Sequence, residues 1–141
     1  MANIPFHLPA GSGPSYSFVA DGEHLFRFLA LATQTGGSYS AMEIVSPERS
    51  GPGPHTHDDS EEYFLLLDGE VAFVVAGEEY DVEPGDFLHV PRGVTHEFKV
   101  ISPSSRMLAM YSPGGPEEVF LELGTRIEPT NVRPAQRPTL L

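Results

Sequence analysis

From Glu62 to Gly93 the chain reads EYFLLLDGEVAFVVAGEEYDVEPGDFLHVPRG, and no other stretch constrains the fold as tightly. Short runs rich in Phe, Val and Leu are separated by Asp-Gly, Ala-Gly and Pro-Gly pairs, the punctuation of turns. LDGE between two apolar runs signals a hairpin, and AGEE predicts a second reversal soon after it. VEPGD has the Pro-Gly order of a type II turn. The same texture continues in SYSFVAD, HLFRFLALA and SYSAMEIVSP upstream and in THEFKVIS and RMLAMYSPGG downstream. Gly and Pro number 14 each, a usage that suits many short elements joined by turns. The expectation is an all-β sandwich or barrel.

One segment reads differently. PEEVFLELG, from Pro116 to Gly124, has Pro near its start and Gly at its end, which predicts a short C-terminal helix. After it, TRIEPTNVRPAQRPTLL holds three prolines and no apolar period, so residues 125–141 read as an extended Pro-rich tail. At 141 residues and without an internal repeat, the chain is expected to be one domain over 1–141, its core spanning about 36–112.

Charge and composition exclude several functions. Eight Lys and Arg against twenty Asp and Glu give a formal net charge of −12, which repels nucleic-acid backbones and anionic membranes. No run approaches the roughly 18 apolar residues of a membrane span. MANIPFHLPAG lacks the basic start and apolar run of a signal peptide, so a cytoplasmic protein is the simplest expectation. With no cysteine, disulfides and thiolate ligands are ruled out.

The chemistry concentrates around GPHTHDDSEEYFLLLDG, Gly53 to Gly69. In an extended chain residues i and i+2 face one side, so His55 and His57 can converge on one point. On the strand that follows, Glu62, Phe64 and Leu66 share one face, and Glu61, Tyr63 and Leu65 the other. His96 is a fourth candidate. Neutral imidazoles with a carboxylate suit Fe, Mn, Ni, Co, Cu or Zn. Parity and the gap to Gly69 favour Glu62 as the carboxylate, with Glu61 as the alternative. Asp58 and Asp59, like Glu61, read as solvated turn charges. His89 reads either as an ordinary strand histidine or as one that reaches the site. His7 and His24 carry no signal.

Two spacings stand out: His55, His57, Glu62 and Gly69 form H-x-H-x4-E-x6-G, and Gly85, Pro91, Gly93 and His96 form G-x5-P-x-G-x2-H. Together they resemble the paired motifs of the cupin superfamily. That resemblance implies a double-stranded β-helix, or jelly-roll barrel, with His55, His57, Glu62 and His96 as the four ligands of a divalent transition metal. Two positions depart from the pattern, Arg49 where Gly is usual and Val100 where Asn is usual, and neither is a ligand. The segment YSPGGPEEVFLELG also resembles the tail of quercetin 2,3-dioxygenase-like cupins. There Glu62 would both bind metal and act as the base that deprotonates a flavonol hydroxyl.

Phe26, Phe28, Phe64, Phe73, Phe98, Met107 and Met110 are the candidate inward-facing residues, a set that suits an aromatic or partly apolar small molecule. The leading expectation is a metal-dependent dioxygenase acting on an enolic or phenolic, flavonol-like substrate together with O2. The alternatives are a non-redox isomerase, cyclase or lyase, and a binding module without turnover. Exposed sheet edges give a motive for a homodimer.

Overall fold

Alternation of buried and outward-facing residues shapes the strands of the structure, a computed structural model that describes residues 3–128. In β4 (Glu61–Asp68), Glu62, Phe64 and Leu66 are buried while their neighbours are not. The strands before it are β1 (Ser15–Val19), β2 (Glu23–Ala30) and β3 (Ser40–Pro47). After it come β5 (Val71–Val75), β6 (Glu78–Val82), β7 (Phe87–Val90), β8 (His96–Val100) and β9 (Ser104–Ser112). A short helix, α1 (Glu118–Leu123), and a last strand, β10 (Thr125–Ile127), complete the described residues.

The strands form two antiparallel sheets. One has seven strands in the order β10-β1-β2-β3-β9-β4-β7, the other three in the order β6-β5-β8. They pack face to face as a jelly roll, and the core lies between them. Phe64 from the large sheet meets Phe73 and Phe98 from the small one at ring separations of 4.9 and 6.2 Å, and Phe73 and Phe98 are 5.3 Å apart. Burial of each such ring stabilises the fold by about 1.5–3 kcal/mol. Of the residues expected to face inward, Phe26, Phe28, Phe64, Phe73, Phe98 and Met107 are all buried. Met110 is not among them. It lies three residues from Met107, an odd interval that puts it on the opposite face of β9, beside Tyr63. Tyr111 takes the inward position instead.

The turns divide into two kinds. AGEE makes the expected hairpin between β5 and β6, with Ala76 and Gly77 at φ of 52° and 81°, as a two-residue reversal of the primed type requires. VEPGD closes with the Asp86 N–H donating to the Glu83 carbonyl at 2.9 Å and Gly85 at φ 91°, as a type II turn demands. LDGE, however, is not a hairpin. β4 pairs with β7 and β9 in the large sheet, whereas β5 belongs to the small one, so this turn is a corner between sheets. The β8–β9 connection holds it: Ser102 Oγ accepts the Glu70 N–H at 2.8 Å, and Glu70 accepts the Ile101 N–H at 2.9 Å. An asparagine-glycine or aspartate-glycine pair fixes only a reversal. Which sheet receives the next strand depends on contacts far away in sequence.

The two departures from the motif pattern turn out to be neighbours. The Arg49 N–H donates to the Val100 carbonyl at 2.9 Å, and the Val100 N–H to the Ser50 carbonyl at 2.8 Å. Arg49 is at φ 66°, the conformation that glycine adopts without cost. Val100 is buried in the core. Within the segment read as a tail, Thr125–Ile127 pairs with β1 as an edge strand. Residues 129–141 lie outside the described residues. No helix among the described residues is long and apolar enough to cross a membrane.

Candidate metal centre

Three separate pieces of chain bring the site together. The segment carrying His55 and His57 runs alongside the start of β8, with the His55 N–H donating to the His96 carbonyl and the His96 N–H to that of His55, both at 3.0 Å. His57 is fixed next, its carbonyl accepting the Gly93 N–H at 2.9 Å. Glu62 enters from β4, where it stands opposite Tyr111 of β9 and Val90 of β7. The approach of the His55 segment depends on Gly51: a Cβ there would lie 1.9 Å from the Phe98 carbonyl oxygen, so no larger residue fits without moving backbone.

His55, His57, Glu62 and His96 each offer one donor atom, and these four atoms lie within 4.8 Å of one another. The imidazoles are pre-oriented. His55 Nδ1 is 2.8 Å from the Gly53 carbonyl and His96 Nδ1 is 2.9 Å from that of Val94. Donation from Nδ1–H to a carbonyl leaves Nε2 with a free lone pair that could hold a metal, the arrangement that commonly orients metal-bound histidine. His96 Nε2 is 3.0 Å from Glu62 Oε1, and His57 Nε2 is 3.2 Å from the same oxygen. The first is a hydrogen bond when the His96 ring carries both protons, as the raised ring favours without metal; the second is not one. His57 Nε2 is buried without a hydrogen-bond partner despite its proximity to the carboxylate, because its alignment is wrong. A buried polar atom without a partner is costly, and a cation at the centre of the four groups would satisfy it. The donor set and this atom both fit a divalent metal.

Electrostatics agree with that fit. Burial pushes the Glu62 carboxyl upward, but the adjoining His57 and His96 outweigh it and hold the group below its ordinary value of 4.5. Burial lowers His55 below 6.5, and the neighbouring imidazoles lower it further, so it favours the neutral ligating form. For His96 burial also acts downward, but the Glu62 carboxylate and the Val94 carbonyl overcome it and raise the ring above 6.5. Tyr111 is raised well above 10 by burial first and by Glu62 second, so its phenol is neutral.

A cavity of about 440 Å³ opens onto this centre. His55, His57, Glu62 and Tyr111 contribute polar groups, and Phe18, Phe26, Met42, Ile44, Phe64 and Phe98 form much of the wall. Val119 and Phe120 of α1 close part of it. Buried Glu117 secures the start of that helix, accepting the Ala32 N–H at 2.9 Å and the Gly115 N–H at 2.7 Å.

The remaining candidates fall away from the centre. Glu61 faces outward and accepts the Tyr63 hydroxyl at 2.9 Å, and Asp58 and Asp59 are exposed. His89 is exposed on the outer face of β7, stacked on Tyr63 at 5.2 Å, while Val90 points inward. Two cavity residues had a readable signal that sequence reasoning passed over. Tyr111 stands four residues from Met107, and His24 two residues from Phe26, so each shares a face with a core residue. Asp21, in the β1–β2 turn, had no such signal.

Comparison with known proteins agrees with the architecture. Residues 41–111, half of the chain and all four clustered residues with it, match the family described as Cupin domain. Quercetin 2,3-dioxygenase of Bacillus subtilis is 30% identical over 125 residues, which cover 89% of this chain and 36% of that protein. Quercetin 2,3-dioxygenase of Aspergillus japonicus is 31% identical over 117 residues, covering 78% and 33%. The chain thus spans about a third of the length of these two dioxygenases. Among solved structures, an RmlC-like cupin from Shewanella frigidimarina superposes with a TM-score of 0.69 at 17% identity, covering 83% of this chain and 99% of that one. The paired motifs, the jelly roll and these matches together place the chain in the cupin family.

Proposed function

We propose that this cupin is a metal-dependent dioxygenase acting on an enolic or phenolic, flavonol-like small molecule. In this reading His55, His57, Glu62 and His96 hold one divalent transition metal. The observation that carries it is that the four-residue cluster opens, through His55, His57 and Glu62, onto a 440 Å³ cavity otherwise lined mainly by aromatic and aliphatic side chains. The two quercetin dioxygenases support the same chemistry.

When bound, a divalent metal supplies a Lewis acid that lowers the pKa of a chelating hydroxyl and, if redox-active, a partner for O2. The chain's own residues do the rest. Phe26, Phe64 and Phe98 take up the planar rings of the ligand and exclude water from the reacting end. Glu62, kept ionised by the adjoining histidines, receives the proton from a hydroxyl whose own pKa a bound metal would lower. His57 and His96 flank the carboxylate and fix its direction. Neutral Tyr111, opposite Glu62, retains a hydroxyl proton to donate at the same place.

The test is O2 uptake by metal-loaded protein given a flavonol, with an anaerobic control. Oxygen consumed in step with flavonol loss, and no loss without oxygen, is the expected result. Full turnover under anaerobic conditions with zinc replacing the native metal would instead identify a non-redox lyase, isomerase or cyclase.

A further inference from the structure

We infer that Asp21, held by His24, forms a second polar subsite of the cavity and selects ligands that carry a hydroxyl group at the end remote from the metal. The inference rests on the aromatic-ligand reading above. It starts from the distribution of polar groups on the cavity wall. One set is His55, His57 and Glu62 of the metal-binding cluster, with Tyr111; the other is the pair Asp21 and His24, on the β1–β2 turn and the strand after it. Phe18, Phe26 and Ile44 line the same cavity.

The two sets are physically linked. Asp21 Oδ2 accepts the Gly51 N–H at 2.9 Å, and four residues further on the same loop delivers His55. An extended chain of that length spans at most about 14 Å, so the loop ties the aspartate to the centre within the reach of one multi-ring ligand.

Of the pair, only the aspartate has bonding capacity left. His24 Nε2 is 3.0 Å from Asp21 Oδ1 and Nδ1 is 2.8 Å from Ser46 Oγ, so donation to the carboxylate and acceptance from the hydroxyl occupy both nitrogens. The set Ser46, His24 and Asp21 has the composition of a hydrolytic triad, but Ser46 is fully buried and does not line the cavity. No ligand reaches its oxygen. Asp21 differs: its side chain is 45% exposed, and each carboxylate oxygen accepts one bond and keeps a further lone pair. Because His24 and Gly51 already fix its direction, a ligand loses no further side-chain freedom by binding it.

An ionised carboxylate only accepts, so the ligand must donate. On the aromatic-ligand reading that donor is a phenolic hydroxyl at the edge of a planar ring, whose apolar body lies against Phe18, Phe26 and Ile44. Phe26 is held for this contact by stacking on Phe120 at 4.3 Å and on His24 at 6.4 Å.

The test is a binding measurement on zinc-loaded protein, which separates recognition from turnover. Three probes are compared: a flavonol whose only hydroxyl is the chelating one, the same compound with a para-hydroxyl on its pendant ring, and the same compound with a hydroxyl on the outer carbon of its fused ring. One hydroxylated probe should bind about tenfold more tightly than the parent in the wild type, the worth of one charge-assisted hydrogen bond. In Asp21→Asn that ratio should collapse towards one, whatever happens to the two affinities in common. A purely architectural role for Asp21 would weaken all probes alike and leave the ratio intact. Asp21→Ser carries the same expectation and guards against a folding defect in the first variant. A ratio near one in the wild type, or a tenfold ratio that survives both substitutions, overturns the subsite. If no probe binds at all, the aromatic-ligand reading itself falls and the subsite with it.

Discussion

Two imidazole–carboxylate groupings border the same cavity, and they are built on opposite principles. Around Glu62, the donor atoms of three histidines and a carboxylate converge within 4.8 Å, and His57 Nε2 is left with no hydrogen-bond partner. Around Asp21, a single histidine has both nitrogens satisfied, by the carboxylate and by Ser46. The first grouping is incomplete as a set of protein groups; in the second the histidine is closed and only the aspartate keeps lone pairs for a donor. What distinguishes a place for a cation from a place for a hydrogen-bond donor is therefore the pattern of unspent lone pairs, not the residue types.

Substitutions at the two groupings should separate accordingly. Glu62→Gln keeps the volume but removes the base, and turnover should fall by about 100- to 10,000-fold. Activity within a few-fold of wild type, in folded and metal-loaded protein, would remove Glu62 from the chemistry. His24→Ala leaves Ser46 Oγ and one Asp21 oxygen without their partner, so thermal or denaturant unfolding should show a loss of about 1–3 kcal/mol. The variant should nonetheless bind metal with wild-type stoichiometry. Loss of the metal in His24→Ala would erase the contrast between the two groupings.

The pH dependence of stability sharpens the contrast further. In the metal-free protein the raised His96 favours folding fully below its unfolded value of 6.5, and that contribution is lost as pH rises through the folded value. The lowered Glu62 contributes fully above its unfolded value of 4.5, and that is lost as pH falls through the folded value. Both contributions are complete between pH 4.5 and 6.5, so the stability difference between wild type and His96→Gln should be largest in that window and shrink as pH rises beyond it. Loading with metal should reverse the trend, because ligation needs neutral imidazole and metal affinity falls with falling pH. Melting curves across pH, with and without chelator, would show whether the two trends differ. The smallest effect is expected at Arg49→Gly. Relief of the left-handed conformation, about 1–2 kcal/mol, is offset by the greater freedom of an unfolded glycine, so the net gain should stay under about 1 kcal/mol.

Much of this was legible in the sequence, for reasons that can be named. The period of two in EYFLLL put Glu62 and Phe64 on the inner face, and the structure keeps them there. The i, i+2 placement of His55 and His57 needs only an extended backbone, which pairing with His96 supplies. Local rules failed where long-range packing decides. The Asp-Gly turn after β4 became a corner between sheets, and Asp21 became part of the cavity because a bond to Gly51, thirty residues away, fixes it there. Met110 was misplaced although the local rule was sufficient, since an interval of three cannot keep two strand residues on one face.

The central claim is that four convergent side chains hold one metal ion, and elemental analysis of the purified protein tests it most directly. After chelation and reloading, the wild type should carry about one divalent ion per chain, and His57→Ala should carry none above background while remaining folded. A folded wild type that binds no ion stoichiometrically, or a His57→Ala variant that retains wild-type metal content, would contradict it.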